Sequence, residues 1–155
     1  MNQIIIQETD FQKARKKIKE AKEERKRTEG NKPIVFSSND DELNRKILEK
    51  EDVNILLLNM SGRKDKMKQR DSGFNQVLAK LAKKKDIILG INLDEIISSK
   101  GKEKLEILTR IRQNVKLCNR DKVKMRFISK EKHDNYNLKS LGLVLGMPTW
   151  MTKDI

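Results

Sequence analysis

Cysteine occurs once in the 155 residues. No disulfide can close within the chain and no zinc site can be built on cysteine, which suits a reducing, cytoplasmic setting. Histidine also occurs once. That excludes the multi-histidine metal clusters of many phosphoesterases, and no metal, cofactor or catalytic site is expected in this chain. Aromatic residues make up only 4%. Proteins that read single strands stack bases on such rings, so contact with the backbone and shape of a folded polyanion is the better expectation. Apolar residues reach 35%, below the roughly 45–50% of an ordinary globular domain, so the core must be economical. No apolar run approaches the roughly 20 residues of a membrane span. The opening Met1-Asn2-Gln3-Ile4-Ile5-Ile6-Gln7 has neither the basic start nor the long apolar stretch of a secretory signal, and no membrane partner is expected.

What is abundant is charge. Lys and Arg number 36 against 23 Asp and Glu, a net +13, and charged residues are 38% of the chain. A length near 150 residues suits one domain with a real core. A soluble basic domain with a nucleic acid as leading partner follows.

Along the chain, residues 1–32 read as a basic N-terminal strand and helix. Ile4-Ile5-Ile6 suits an edge strand, Thr9 or Asp10 can cap a helix, and Phe11, Ala14, Ile18 and Ala21 form one thin apolar stripe. From Pro33 the texture changes. Ile34-Val35-Phe36, Val53 to Leu58, Ile87 to Ile91 and Lys124 to Ile128 are short apolar runs without alternation, the habit of strands covered on both faces. Between them lie helical patterns: one capped by Ser38 or Asn39; one with Phe74, Val77, Leu78 and Leu81 inward; a single turn at Asp94 to Ile97; and a long one placing Leu105, Leu108, Ile111, Val115 and Cys118 on one face. Leu138 to Leu145 reads as a closing helix and 148–155 as a C-terminal tail in which Trp150 packs. Strand and helix alternating with short connections is the signature of an α/β fold with a mainly parallel sheet. Five strands fall short of the eight of a (β/α)₈ barrel, so the sheet is a short open one or an incomplete barrel.

No catalytic constellation assembles. A Gly-x-Ser-x-Gly elbow is absent, and Gly142-Leu143-Val144-Leu145-Gly146 lacks the Lys-Ser/Thr of a phosphate-binding loop and reads as a packed helix end. Cys118 on an apolar helix face reads as a buried, inert thiol, and His133 as an incidental loop residue. The pairs Asp40-Asp41 and Asp94-Glu95 sit at helix starts, where carboxylates satisfy free N–H groups. The basic features carry more. Arg63, Lys64, Lys66, Lys68 and Arg70 outnumber Asp65 and Asp71 in the loop Asn59 to Asp71, and loops after strand C-termini form the functional rim of α/β sheets. Gln76, Lys80 and Lys84 share one strip of the next helix, and Arg112, Lys116 and Arg120 share one strip of the long helix. The candidate RNA-binding residues are therefore Arg63, Lys64, Lys68, Arg70, Lys80, Lys84, Arg112, Lys116 and Arg120. The residues alone leave open a generic RNA- or DNA-binding protein and an autonomous metal-dependent phosphoesterase.

The run Arg70-Asp71-Ser72-Gly73-Phe74-Asn75-Gln76-Val77-Leu78-Ala79-Lys80-Leu81-Ala82 resembles the signature of ribonuclease P protein component 3, the p30 subunit family of archaea and eukaryotes. The likeness extends through Ile88-Leu89-Gly90-Ile91-Asn92-Leu93, the helix around Leu108 to Cys118 and Leu141 to Met147, covering roughly residues 33–147. It implies a TIM-barrel-like fold without a metal site. It implies a noncatalytic subunit that binds and stabilises the catalytic RNA of ribonuclease P, the endonuclease that removes the 5′ leader of precursor tRNA. The implied partners are that RNA, a small ferredoxin-like ribonuclease P protein, typically in a heterotetramer, other ribonuclease P proteins and, indirectly, precursor tRNA. RNA contacts carry over best to Arg70, Lys80 and the Arg112 strip. About thirty residues precede Pro33, where family members usually have more, so a barrel shortened at the N-terminus is expected. Gln76 stands where the family often has His, and the basic loop before the last helix is reduced to Lys130, Lys132 and His133.

Overall fold

A computed structural model describes residues 3–155; Met1 and Asn2, with which the reading of the chain's start begins, lie outside the described residues. The elements alternate as expected: β1 (Ile4–Gln7), α1 (Phe11–Arg27), β2 (Ile34–Ser37), α2 (Asp41–Lys50), β3 (Ile55–Leu58), α3 (Gln76–Lys84), β4 (Ile88–Asn92), α4 (Leu93–Ser98), α5 (Gly101–Asp121), β5 (Met125–Ile128), α6 (Asn135–Val144) and α7 (Thr149–Thr152). All five strands are parallel and stand side by side in chain order. Parallel strands joined by right-handed crossovers without any reversal of order put every helix on one face, which is the winding of a β/α barrel. Among the described residues β1 and β5 each have one neighbour, so the sheet is open.

The burial pattern reflects that winding. Ile6, Ile34, Phe36, Leu56, Leu58, Leu89, Ile91, Met125 and Phe127 face the helices and join Ile18, Ile47, Ile107 and Val115 in the main core. Phe36 and Leu56 are almost wholly buried, each contributing about 2–3 kcal/mol of transfer free energy. Alternate residues Val35, Ile55, Leu57 and Ile128 form a smaller cluster on the opposite face. There the strands crowd one another. A Cβ on Gly90 would lie 3.0 Å from Ile55 and 3.2 Å from both Leu57 and Ile128, so β4, between β3 and β5, has no room for a side chain at that point.

Local chemistry sets the ends of the elements. Asp10, Asp40, Asn75, Asn92 and Asp134 each accept an N–H of the first helical turn. Two expectations are thereby corrected. The cap of α2 is Asp40, not Ser38 or Asn39, and Ser38 Oγ instead accepts the Asp40 N–H at 3.1 Å. The closing helix starts at Asn135, because the Asp134 cap begins it earlier. Two apolar residues placed inward by spacing are exposed, Val77 at 64% and Leu105 at 65%. On α5 the reason is rotation: Arg110 and Asn114 point inward with Ile107, Ile111, Val115 and Cys118, toward a loop whose carbonyls Arg110 binds. The Gly142 end packs as expected, with Met147 and Thr152 against it, and Trp150 Nε1 donates to Asn119.

Candidate functional site

The loop from Asn59 to Asn75 leaves the C-terminal end of β3 and returns as α3. It has almost no regular structure and is held by two arginines turned inward. Arg110 on α5 is 2% exposed. It donates to Met60 O at 2.8 Å, Arg63 O at 2.9 Å and Asp65 Oδ1 at 3.2 Å. Arg63 grips Asp41 of α2 with a two-pronged pair at 2.7 and 2.9 Å and donates to Asn59 O at 2.6 Å. Such forked pairs fix direction as well as charge. Asp65 also accepts the Asp71 N–H at 2.8 Å. The Asp71 amide first, and the Arg110 guanidinium after it, hold the Asp65 carboxyl below its usual value.

The Arg70-Asp71-Ser72-Gly73 run is the lock of this loop. Asp71 Oδ1 accepts the Gly73 N–H at 3.1 Å and lies 3.5 Å from Arg63. Ser72, buried, donates to Phe74 O, and Gln113 of α5 donates to Arg70 O and Ser72 Oγ. Gly73 has φ +68, and a Cβ there would fall 2.6 Å from Arg63 Nη2 and 2.7 Å from Asp41 Oδ1. Only glycine lets the Arg63–Asp41 pair lie across the backbone.

With its frame pinned, the loop turns its other cations outward. Lys66, Lys68 and Arg70 face Arg112 and Lys116 of α5 and Arg45 of α2 across a groove of about 1070 Å³ that also includes Phe74, Leu78 and Leu117. Arg45 pairs with Glu49 at 2.8 Å, which raises its pKa further, and Arg70 lies 3.6 Å from Asp65. Among the described residues Lys66, Lys68, Arg112 and Lys116 make no ion pair. Arg112 and Lys116 rise about 6 Å apart along the helix. The groove can therefore hold several negative groups in a row.

Of the nine candidate residues, the fold brings Lys68, Arg70, Arg112 and Lys116 together. Lys64, Lys80 and Lys84 are exposed but outside the groove, and Arg120 is engaged with Asp121 at 3.3 Å. Arg63 is turned inward, its side chain 9% exposed, because Asp41 and the Asn59 carbonyl claim its guanidinium. Arg45 joins the wall from α2; nothing in its local sequence marks it, since only packing sets it opposite the loop. The basic α1 contributes no wall. Arg15 and Lys22 bind Glu51 and Asp52, and Arg25 binds Asn54, all at the α2–β3 turn.

Two other sites resolve differently from expectation. Asp94 and Glu95 are not the cap of α4, which is Asn92. Glu95 accepts the N–H groups of Met60 and Ser61, and Asp94 accepts Ser129 Oγ–H and the Lys130 N–H. His133 is half-buried with Nε2 3.0 Å from Ser129 Oγ. Here the carboxylate holds the serine rather than the histidine, the reverse of the arrangement that activates a nucleophile, so the three groups fasten the β5–α6 loop to α4. Cys118 is fully buried and its thiol is pushed up to about 12 by burial and the nearby Asp121 charge. Among the described residues no three His, Cys, Asp or Glu side chains group as metal ligands. No helix there is long and apolar enough to cross a membrane.

Sheet order and winding define the class: an open, TIM-barrel-like β/α fold with a basic groove walled by α2, α5 and the β3–α3 loop. No family model matches the sequence. Among solved structures, the fold is similar to a chain in the cryo-EM structure of archaeal ribonuclease P with mature tRNA, with a TM-score of 0.73 and 23% identity. The match covers 96% of this chain and 62% of that one, so the chain spans a little under two thirds of its length.

Proposed function

We propose that this chain is a noncatalytic, RNA-binding protein subunit of ribonuclease P, of the p30 type, and that it supports the RNA that cleaves the 5′ leader from precursor tRNA. The observation that carries the reading is the groove in which unpaired Lys66, Lys68, Arg112 and Lys116 converge on a loop braced from within by Arg63 and Arg110. Unpaired cations along one groove suit a sugar–phosphate backbone, and the shortage of rings argues against reading by base stacking. The fold shared with a chain of an archaeal ribonuclease P complex supports the same assignment. The small ferredoxin-like ribonuclease P protein, in a heterotetramer, is the proposed protein partner, and precursor tRNA is met through the RNA.

The test is recovery of the native complex. The tagged protein is captured from its own cells and its RNA sequenced; ribonuclease P RNA should be the dominant species, accompanied by a small ferredoxin-like protein. Capture without that RNA refutes the proposal. Equal affinity for any RNA or DNA duplex at matched salt would replace it with a generic basic binder.

A further inference from the structure

A second cavity lies beside the groove. The groove includes Asp41 and this cavity includes Asp40, so the two share the start of α2. It measures about 500 Å³ and lies at the C-terminal ends of β1, β2 and β3, with Gln7, Thr9, Ser37, Asn39 and Asn59 in its walls. Folds with this β/α winding place their ligand sites at the carboxyl ends of the strands, and cavities of about 300–1,000 Å³ take small molecules such as a nucleoside.

Its chemistry differs from that of the groove. No lysine or arginine lines it. Its two carboxylates are committed, Glu8 to Lys17 and Asp40 to the Glu42 and Leu43 N–H groups. Asn39 accepts a hydrogen bond from Asn59 at 3.2 Å, and Asn59 accepts one from Asn92 at 2.9 Å, so a row of carboxamides crosses the strand ends. Ser37 is the telling group. It is 1% exposed, lines the cavity, and its hydroxyl has no hydrogen-bond partner. A buried polar atom left unpaired is costly, and a hydroxyl can both donate and accept. The available groups are thus uncharged hydrogen-bonding ones. Cations to hold a phosphate and rings to stack a base are both missing from the walls.

We infer that the cavity binds the ribose hydroxyls of a ribonucleoside, with Ser37 as their buried partner. The ribonucleoside comes from one of two sources: a free nucleoside, or an unpaired nucleotide of an RNA lying in the adjacent groove. The second source rests on the RNA-binding reading above; the first does not.

The whole protein, isotope-labelled, is titrated with adenosine and cytidine and with their 2′-deoxy forms while amide resonances are followed. The ribonucleosides should shift Thr9, Ser37 and Asn39, and the deoxy forms should do so far more weakly. In a second arm, an RNA hairpin with one unpaired nucleotide in its stem is compared with its fully paired counterpart. A preference for the first that Ser37→Ala removes assigns the site to a nucleotide of the RNA. Ser37→Ala should weaken whichever ligand binds by roughly fivefold, the loss of about one hydrogen bond. It should leave the melting temperature of the free protein unchanged or higher, because the hydroxyl has no partner there. Absence of both the nucleoside shifts and the hairpin preference overturns the inference. So does equal binding of ribo and deoxy forms, or a lower melting temperature for Ser37→Ala. If RNA fails to bind at all while nucleosides shift those residues, the cavity stands and the ribonuclease P reading falls.

Discussion

Gly73→Ala tests whether the Arg63–Asp41 pair is what holds the basic loop in place, and Gly62→Ala is its internal control. Both glycines have φ +68, so an alanine at either position costs about 1–2 kcal/mol for the left-handed backbone. The surroundings differ. Nothing lies within 4 Å of a Cβ on Gly62, whereas a Cβ on Gly73 meets both Arg63 terminal nitrogens and Asp41 Oδ1 at 2.6 to 2.7 Å. Contacts that short cannot persist, so the guanidinium or the carboxylate must shift, and the two-pronged geometry of the pair is lost. Breaking a fully buried pair costs about 3–5 kcal/mol. The Asp41 side chain is 41% exposed and regains water, so about 2 kcal/mol is the better figure here. Gly73→Ala should therefore lose about 3–4 kcal/mol and Gly62→Ala about 1–2 kcal/mol. Urea unfolding followed by circular dichroism reads both directly, since typical domains have about 5–15 kcal/mol to lose. RNA affinity should fall for Gly73→Ala below its own unfolding midpoint, because Lys66, Lys68 and Arg70 lose their fixed frame. Equal losses for the two variants would refute the reasoning, since the backbone term would then account for everything.

Adjacent arginines on α5 should separate by role. Arg110→Met strands the Met60 and Arg63 carbonyls and should cost about 3 kcal/mol in thermal unfolding, while Arg112→Ala should stay within about 0.5 kcal/mol of the parent and lower RNA affinity; matching effects would mean that α5 is rotated otherwise. Lys68→Gln with Lys116→Gln should reduce the slope of log affinity against log salt by about 2 in filter binding, and an unchanged slope would place the RNA elsewhere. Asp65 has a lowered carboxyl pKa in the folded state, so its contribution is present above the ordinary value near 3.8 and is lost as pH falls through the folded value. Acid unfolding of Asp65→Asn should accordingly show a shallower loss of stability below that pH, and an identical profile would remove Asp65 from the account. Cys118, with a thiol near 12, should resist thiol reagents at pH 8 in the folded protein and react at once in denaturant; prompt labelling of the native state would contradict its burial.

Much of the fold was legible from composition and period. Apolar runs without alternation marked strands buried on both faces, and in the main those runs are β2 to β5. The open sheet of five parallel strands agrees with the expectation of a short or incomplete barrel. The site was legible only in part. The excess of basic charge in a loop after a strand picked out Lys68 and Arg70, and the i, i+4 repeat picked out Arg112 and Lys116, because such a repeat along one helix face survives into any packing. The same spacing gave no warning that Arg63 faces inward, that Arg45 reaches the groove from α2, or that Arg110, one more cation in a basic stretch, is buried at 2% exposure. It also assigned Asp94 and Glu95 to the helix they begin, whereas their partners lie about 35 residues away, at Ser129 and Met60.

By itself, then, the sequence determined the class of fold, the reach of its basic charge and the absence of disulfides. Those depend on neighbours within a few residues, where period, propensity and hydrogen-bonding side chains act without reference to the rest of the chain. Only the tertiary structure decided which cations bind the protein's own backbone and which remain free. It also decided that Gly73 must be glycine to pass beneath Arg63, and that Ser37 ends without a partner beside an open cavity. Burying a guanidinium requires carbonyls and carboxylates from several segments to arrive at one point. That convergence is a property of packing, and residue order along the chain does not contain it.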